Sequence, residues 1–186
     1  MTLPRHIHVY TYKEGLLSRL AHDLQLSVDR YSISFDSGRV TATLDPRSLR
    51  VEGAIHRGAL DKQTLSESDE RKIAATLQSD VLRCDTYPEI RFEGAVTHQG
   101  NGRFVVRGQL SLTGRSAEVE LPITLGHEVR GDFEVVPSRW GIEPFRAMAG
   151  ALKVQDRVRV VFVLPVDTAA LNSANWQQAK CTWSSP

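Results

Sequence analysis

The sequence predicts an all-β domain with one helix, built as an eight-stranded antiparallel β-barrel that the helix closes. Apolar residues recur at every second position over most of the chain, the period of a strand with one buried face. Turn-forming pairs containing glycine separate these runs, as they do in hairpins. Only one stretch keeps a clear helical period.

The first strand runs from His6 to Tyr12. The second starts at His22, where Leu24, Leu26 and Val28 share one face against Gln25 and Ser27. It continues through Tyr31, Ile33 and Phe35 after a switch of apolar parity near Asp29-Arg30, which a bulge or bend would produce. Ser37-Gly38 is a tight turn into Val40, Ala42 and Leu44, and Asp45-Pro46 stops that strand. Ile90, Phe92 and Val96 mark a strand ending in the polar turn Gln99-Gly100-Asn101-Gly102. Phe104, Val106, Leu110 and Leu112 form its return, and Thr113-Gly114 turns into Val119, Leu121, Ile123 and Leu125. Phe133 and Val135, then Val158, Val160, Phe162 and Leu164, supply the last two strands.

From Ser68 to Leu82, Ile73, Leu77 and Val81 recur at spacings of four, with Asp69 and Glu70 in the first turn and Ser68 as the expected N-cap. A shorter helix or irregular turn is expected over Gly15 to Ala21, where Leu16, Leu17 and Leu20 share a side. Val51 to Glu67 has no strong period and reads as a surface loop leading into the helix. After Asp167 the strand pattern is lost, so residues 1–167 are expected to form the barrel domain and residues 168–186 a mobile C-terminal tail.

A chain of 186 residues can bury one core without a metal or disulfide staple. Its 23 basic and 22 acidic residues balance, so the molecule lacks the field of a nucleic-acid binder. Val158 to Val166, interrupted by Arg159 and Pro165, is far too short to span a bilayer as a helix. Cys84 and Cys181 stand apart from any Cys-x-x-Cys spacing. Met1 to Tyr12 does not read as a signal peptide, so the expectation is a cytoplasmic protein, or a periplasmic one if a leader has been removed.

An eight-stranded barrel is either filled by its own side chains or holds one small ligand. The residues assigned inward are mainly Leu, Val, Ile and Phe, with Gly94, Gly108 and Gly131 in phase and expected to leave room. A cavity with such a wall would suit a hydrocarbon chain, while the same pattern also suits a filled core.

Four phrases then stand in order between about Leu17 and Asp167. They are Ala21-His22-Asp23-Leu24 continuing to Phe35; Tyr87-Pro88-Glu89-Ile90-Arg91-Phe92; Gly108-Gln109-Leu110-Ser111-Leu112-Thr113-Gly114 followed by Val119-Glu120-Leu121-Pro122; and Ser138-Arg139-Trp140-Gly141-Ile142. Together they resemble the YceI-like, polyisoprenoid-binding family of extended lipocalin-like barrels. The resemblance implies a barrel closed on one side by the helix, with a long apolar tunnel for an isoprenoid or similar acyl chain. The chain departs from the family at its N-terminus, at Trp140 and at the helix start Ser68-Asp69-Glu70-Arg71, which leaves the ligand's identity the least transferable property.

On this reading Leu24, Leu26, Val28, Phe92, Leu110, Phe133 and Phe162 contact an apolar ligand, joined by His22, Arg139 and Trp140. Arg139 could pair with a phosphate or carboxylate head, or tie a turn to Glu143 or another carboxylate. His22 beside Asp23 suggests a general base, but adjacent strand residues point to opposite faces. His6 and His8 share a face with no third metal ligand apparent, so no metal is expected. Nor is a hydrolase elbow or phosphate loop present, and no cofactor is expected. Binding of an apolar small molecule without catalysis is the leading expectation, and a homodimer stays open. The alternatives are an enzyme acting on a lipid-like substrate inside the barrel, and a filled barrel whose tail, around Trp176 and Trp183, meets a partner.

Overall fold

The computed structural model describes residues 5–14, 22–147, 152–167, 171–172 and 174–185. The expected turn or helix over Gly15 to Ala21 lies outside them. The described residues form thirteen strands and one α-helix. The strands are β1 (His6–Glu14), β2 (Asp23–Val28), β3 (Tyr31–Asp36), β4 (Arg39–Leu44), β5 (Leu49–His56), β6 (Ala59–Asp61), β7 (Ile90–Gly100), β8 (Arg103–Leu112), β9 (Arg115–Leu125), β10 (Glu128–Val135), β11 (Arg146–Ala147), β12 (Leu152–Pro165) and β13 (Lys180–Ser184). They make one antiparallel sheet in the order β13-β3-β4-β7-β8-β9-β10-β12-β1-β2-β5-β6, with β11 on β12. No helix among the described residues is long and apolar enough to cross a membrane.

The expected count of eight is therefore corrected, as is closure of the barrel by a continuous ladder, because the sheet's end strands β13 and β6 do not pair with each other. What brings the ends together is one long ribbon. β2 pairs with β5 and β3 with β4, so residues 23–36 run antiparallel to residues 39–55 along their whole length. The half containing β4 bonds to β7, and the half containing β2 bonds to β1 at the far side of the sheet. The ribbon bends where the parity switch stands. There the Asp29 amide donates to the Ser48 carbonyl (3.3 Å), and the Asp45 amide to the Arg30 carbonyl (3.0 Å). The Ser48 hydroxyl accepts from the Arg30 amide (2.9 Å) and donates to the Asp45 carbonyl (2.7 Å).

The loop expected over Val51 to Glu67 is mostly strand, since β5 and β6 form a hairpin turned at Arg57-Gly58. Its alternation is hidden by a bulge: Gln25 faces Gly53 while Leu26 faces Val51, which leaves Glu52 as the extra residue. The helix α1 spans Glu67–Thr76, and its N-cap is Ser66 rather than Ser68. Asp69 stands three residues beyond Ser66, so the capping is reciprocal: the Ser66 hydroxyl accepts from the Asp69 amide (3.2 Å) and donates to its carboxylate (2.7 Å). From Leu77 to Val81 the helix widens, and the Leu82 amide reaches the Leu77 carbonyl (2.8 Å). Part of the segment expected as a mobile tail, Lys180–Ser184, is paired strand. It returns as β13 on β3, where Cys181 faces Phe35 and Trp183 faces Ile33. With only those two residues to show an alternation, the strand was not legible as one.

The turn pairs act as expected: Ser37 and Gly38 take φ of 50° and 81°, Thr113 and Gly114 of 47° and 76°, the primed geometry that matches strand twist. The inward glycines leave no room for a ligand. A Cβ on Gly108 would overlap the Glu93 carbonyl and the Gly94 Cα, its opposite number across β7 and β8, and one on Gly131 would overlap the Phe162 ring. These positions let two backbones approach and let aromatic rings lie over them. Trp140 is fully buried, Thr113 donates to its carbonyl (2.8 Å), and its indole donates to the Leu110 carbonyl (2.7 Å). The Tyr31 hydroxyl, by contrast, is buried with no hydrogen-bond partner among the described residues.

Two stability outcomes follow from this packing. Gly108→Ala should lower the urea-unfolding free energy by about 1–3 kcal/mol, while Gly126→Ala, where a Cβ would meet nothing within 4 Å, should stay within about 0.5 kcal/mol. Equal effects at the two sites would refute the close-approach reading of Gly108. Tyr31→Phe removes an unpaired buried hydroxyl, so thermal and urea unfolding should show unchanged stability or a gain of up to about 1 kcal/mol. A loss above about 1 kcal/mol would mean that the hydroxyl is bonded after all.

Candidate functional site

Strand alternation inside a curved sheet sends every second side chain to the axis, and here those side chains surround a cavity of about 330 Å³. The registers give its levels. Near one end, Ile7, Phe162, Ile123 and Phe104 belong to consecutively paired positions on β1, β12, β10, β9 and β8, with Gly131 between Phe162 and Ile123. The hairpin turns at Ser37-Gly38 and Asn101-Gly102 and the end of β12 at Pro165 lie on this side, called the turn end. Higher up, Ala42, Phe92 and Leu110 face one another across β4, β7 and β8. At the opposite end Leu44 and Leu112 line the cavity, and the widened helical turn contributes Leu77, Val81 and Leu82.

The wall is hydrocarbon. Among the described residues it carries no carboxylate, imidazole, amine or thiol, and Thr11 is its one hydroxyl-bearing residue. Leu26, Val28, Phe92, Leu110, Phe133 and Phe162 all stand on it, as the alternation predicts. Phe133 and Phe162 meet edge to face at 6.4 Å.

Four expected contacts are not on the wall. Leu24 packs against the core without lining the cavity. His22 is exposed, and its neighbour Asp23 turns its carboxylate to the Lys13 amide (2.8 Å) rather than serving an imidazole on the axis. Trp140 is spent on packing, as described. Arg139 is exposed, with its guanidinium donating to the Glu118 carbonyl (2.8 Å) and lying 5.3 Å from the Trp140 ring centre. That bond has a local cause. The β9–β10 ladder ends at Gly131 and Ile123, although both strands go on. Pro122 offers no amide to continue it, and Arg139 spans the opening to an unpaired carbonyl. Arg139 is thus a structural tie, to a backbone carbonyl rather than to Glu143.

The sequence phrases acquire physical roles. Ile90 and Phe92 of the Tyr87-to-Phe92 phrase line the cavity, while the Tyr87 ring lies so close to Gly114 that a Cβ there would stand 2.6 Å away. Ser138, Arg139 and Trp140 belong to the tight 3₁₀ turn Pro137–Trp140, which Gly141 ends at φ 74°. Sequence reasoning did not assign Ile7 and Val9 to the wall, although their alternation on β1 could have shown it. Trp176 and Trp183, which one alternative reading has meeting a partner through the tail, both line the cavity.

The titratable groups among the described residues stand off this wall. His6 and His8 stack at 4.4 Å on the outer wall, where partial burial holds both imidazoles below the usual histidine value. Arg159 forms a two-pronged pair with Asp132 (2.7 and 2.5 Å), which holds that carboxyl below the usual range. Burial pushes the thiols of Cys84 and Cys181 up, so neither is a ready thiolate at neutral pH. Among the described residues no three His, Cys, Asp or Glu side chains gather as a metal site would require.

Comparison with solved structures finds this architecture in several bacterial proteins. BcnA of Burkholderia cenocepacia superposes with a TM-score of 0.61 at 15% identity, over 87% of this chain and 96% of BcnA. A polyisoprenoid-binding domain of Saccharophagus degradans, implicated in plant cell wall breakdown, gives 0.54 at 13% identity over 86% and 91%. The YceI protein of Campylobacter jejuni gives 0.55 at 13% identity over 76% and 82%. At such identities the likeness speaks for the fold alone. No curated protein matches the sequence. The YceI-like domain family matches residues 6–166, the whole span from the first strand to the end of the twelfth, and the chain belongs to that family.

Proposed function

We propose that this protein binds an elongated apolar molecule, an isoprenoid or fatty-acyl chain, inside the barrel and does no chemistry on it. The observation that carries this reading is the cavity of about 330 Å³ with a hydrocarbon wall, a volume in the range of small-molecule sites. The fold shared with a polyisoprenoid-binding domain supports an isoprenoid in particular.

The magnitudes favour a long chain. Each methylene taken from water contributes about 0.8 kcal/mol, whereas association costs at least about 4 kcal/mol and orders the chain besides. With no charged group on the described wall to add binding energy, micromolar affinity needs roughly fifteen buried carbons or more. Acid–base or nucleophilic catalysis would need titratable groups converging on the bound molecule, and the described wall offers none. A polar head group, if the ligand has one, is accommodated outside this wall.

The test is uptake and its block. The protein purified from cells should carry a copurified hydrophobic mass in native mass spectrometry, and delipidated protein should bind a labelled isoprenol and gain thermal stability on saturation. Leu110→Trp puts an indole across the middle of the cavity, while the Leu110 backbone carbonyl still serves Trp140. It should weaken isoprenol binding by about tenfold or more with the far-ultraviolet circular dichroism unchanged. A bare chain that takes up no isoprenol, or a Leu110→Trp variant that binds as tightly as the parent, would count against the proposal.

A further inference from the structure

The two ends of the cavity are built by different parts of the chain. Leu77, Val81 and Leu82 close the helical end from within the span that the family matches, residues 6–166. Leu171, Trp176 and Trp183 line the turn end from beyond that span. The segment that carries them is firmly docked. β13 pairs with β3 from Lys180 to Ser184, the Ser37 amide donates to the Ala179 carbonyl (3.1 Å), and Ser185 returns a bond to the Tyr31 carbonyl (3.0 Å). The Trp183 indole donates to the Pro165 carbonyl (2.6 Å), which fastens the segment to the end of β12.

Within this segment the two tryptophans differ. Trp183 is buried and its ring nitrogen is engaged, so it serves as an anchor. Trp176 is half-buried; its ring meets Phe104 edge-on at 5.6 Å, lies 6.4 Å from His98, and stands 3.3 Å from where a Cβ on Gly38 would be. It stands at the turn end against the β7–β8 hairpin and the β3–β4 turn, and it contributes to the cavity wall. A hydrocarbon wall cannot select a head group. It can select length, but only where the chain meets something that does not yield.

We propose that the C-terminal segment sets the length of apolar chain that the cavity accepts, and that Trp176 is the residue on which the chain stops. The proposal rests on the binding function argued above and adds to it a specificity determinant from outside the family domain. Each methylene short of the stop tightens binding about fourfold, and methylenes beyond it add nothing or cost affinity.

The experiment measures dissociation constants of the full chain for straight-chain 1-alkanols from decanol to eicosanol, by displacement of cis-parinaric acid. The parent should gain affinity with length up to one alcohol and then level off or fall. Trp176→Ala should shift that limit by about two methylenes or more, so that the alcohol two carbons past the parent's limit binds on the order of tenfold tighter, with shorter alcohols unchanged. Trp176→Phe should shift it less. If Trp176→Ala does not fold, Trp176→Leu and Trp176→Phe test the same order of limits. A limit at the same alcohol in every folded variant overturns the proposal and leaves the binding function standing. A parent that takes up neither parinaric acid nor any alcohol overturns both.

Discussion

The ribbon of residues 23–36 and 39–55 must serve both ends of one sheet, bonding to β7 through its upper half and to β1 through its lower half. Everything inside the barrel depends on the bend that makes this feasible. A straight ribbon would leave the sheet open and its greasy face in water, at a cost that scales with the apolar area exposed. The bend breaks the ladder, and the backbone groups it frees must find other partners. Here Ser48 both accepts and donates across the corner, Asp45 accepts from the Arg47 amide, and the Arg30 guanidinium closes on Asp45 at 2.7 Å. The exposed ion pair contributes little by itself. The backbone bonds do more, because they let two strands turn a corner together without leaving buried polar groups unpaired.

Once the sheet is wrapped, the character of its interior follows from parity alone. Charged side chains go outside, where Arg159 and Arg157 reach Asp132 and Glu134 and lie over the rings of Tyr10 and Tyr12. Inside, aromatic and branched side chains meet but do not fill the space, although Gly131 admits the Phe162 ring and Gly94 faces Gly108. An interior so made is insensitive to pH and salt, since nothing that titrates within the physiological range lies on its described wall. Its response to a ligand is governed by shape and by dehydration.

What was legible in the sequence was whatever depended on period. The alternations of Phe92, Leu110, Phe133 and Phe162 put them on the axis without any knowledge of partners, and the glycine-containing turns set the hairpins between them. The helix core was equally legible, but its cap is Ser66, two residues before Ser68, because Ser66 stands where it can exchange bonds with Asp69. Illegible features were those in which local pattern gives way to tertiary pairing. The bulge at Glu52 masks β5, β13 is too short and polar to announce itself, and Arg139 owes its position to an opening between β9 and β10 that begins where Pro122 withholds an amide. The inward glycines were misread for a related reason, because sequence shows which face a residue occupies but not how near the facing backbone comes.

β13 also changes what the outside of the molecule offers to other proteins. A sheet whose end strands do not pair with each other presents two rows of unpaired amides and carbonyls, the template on which chains aggregate edge to edge. One of these edges is β6, three residues long and backed by the Glu52 bulge. The other would be β3, and β13 covers it with a shorter strand that begins at Lys180, itself paired with Asp36 at 2.9 Å. Both margins of the sheet are thereby left too short to recruit a neighbour of any length. The segment that lines the turn end thus also serves colloidal stability, protecting the open sheet at the margin where chain-to-chain pairing would otherwise begin.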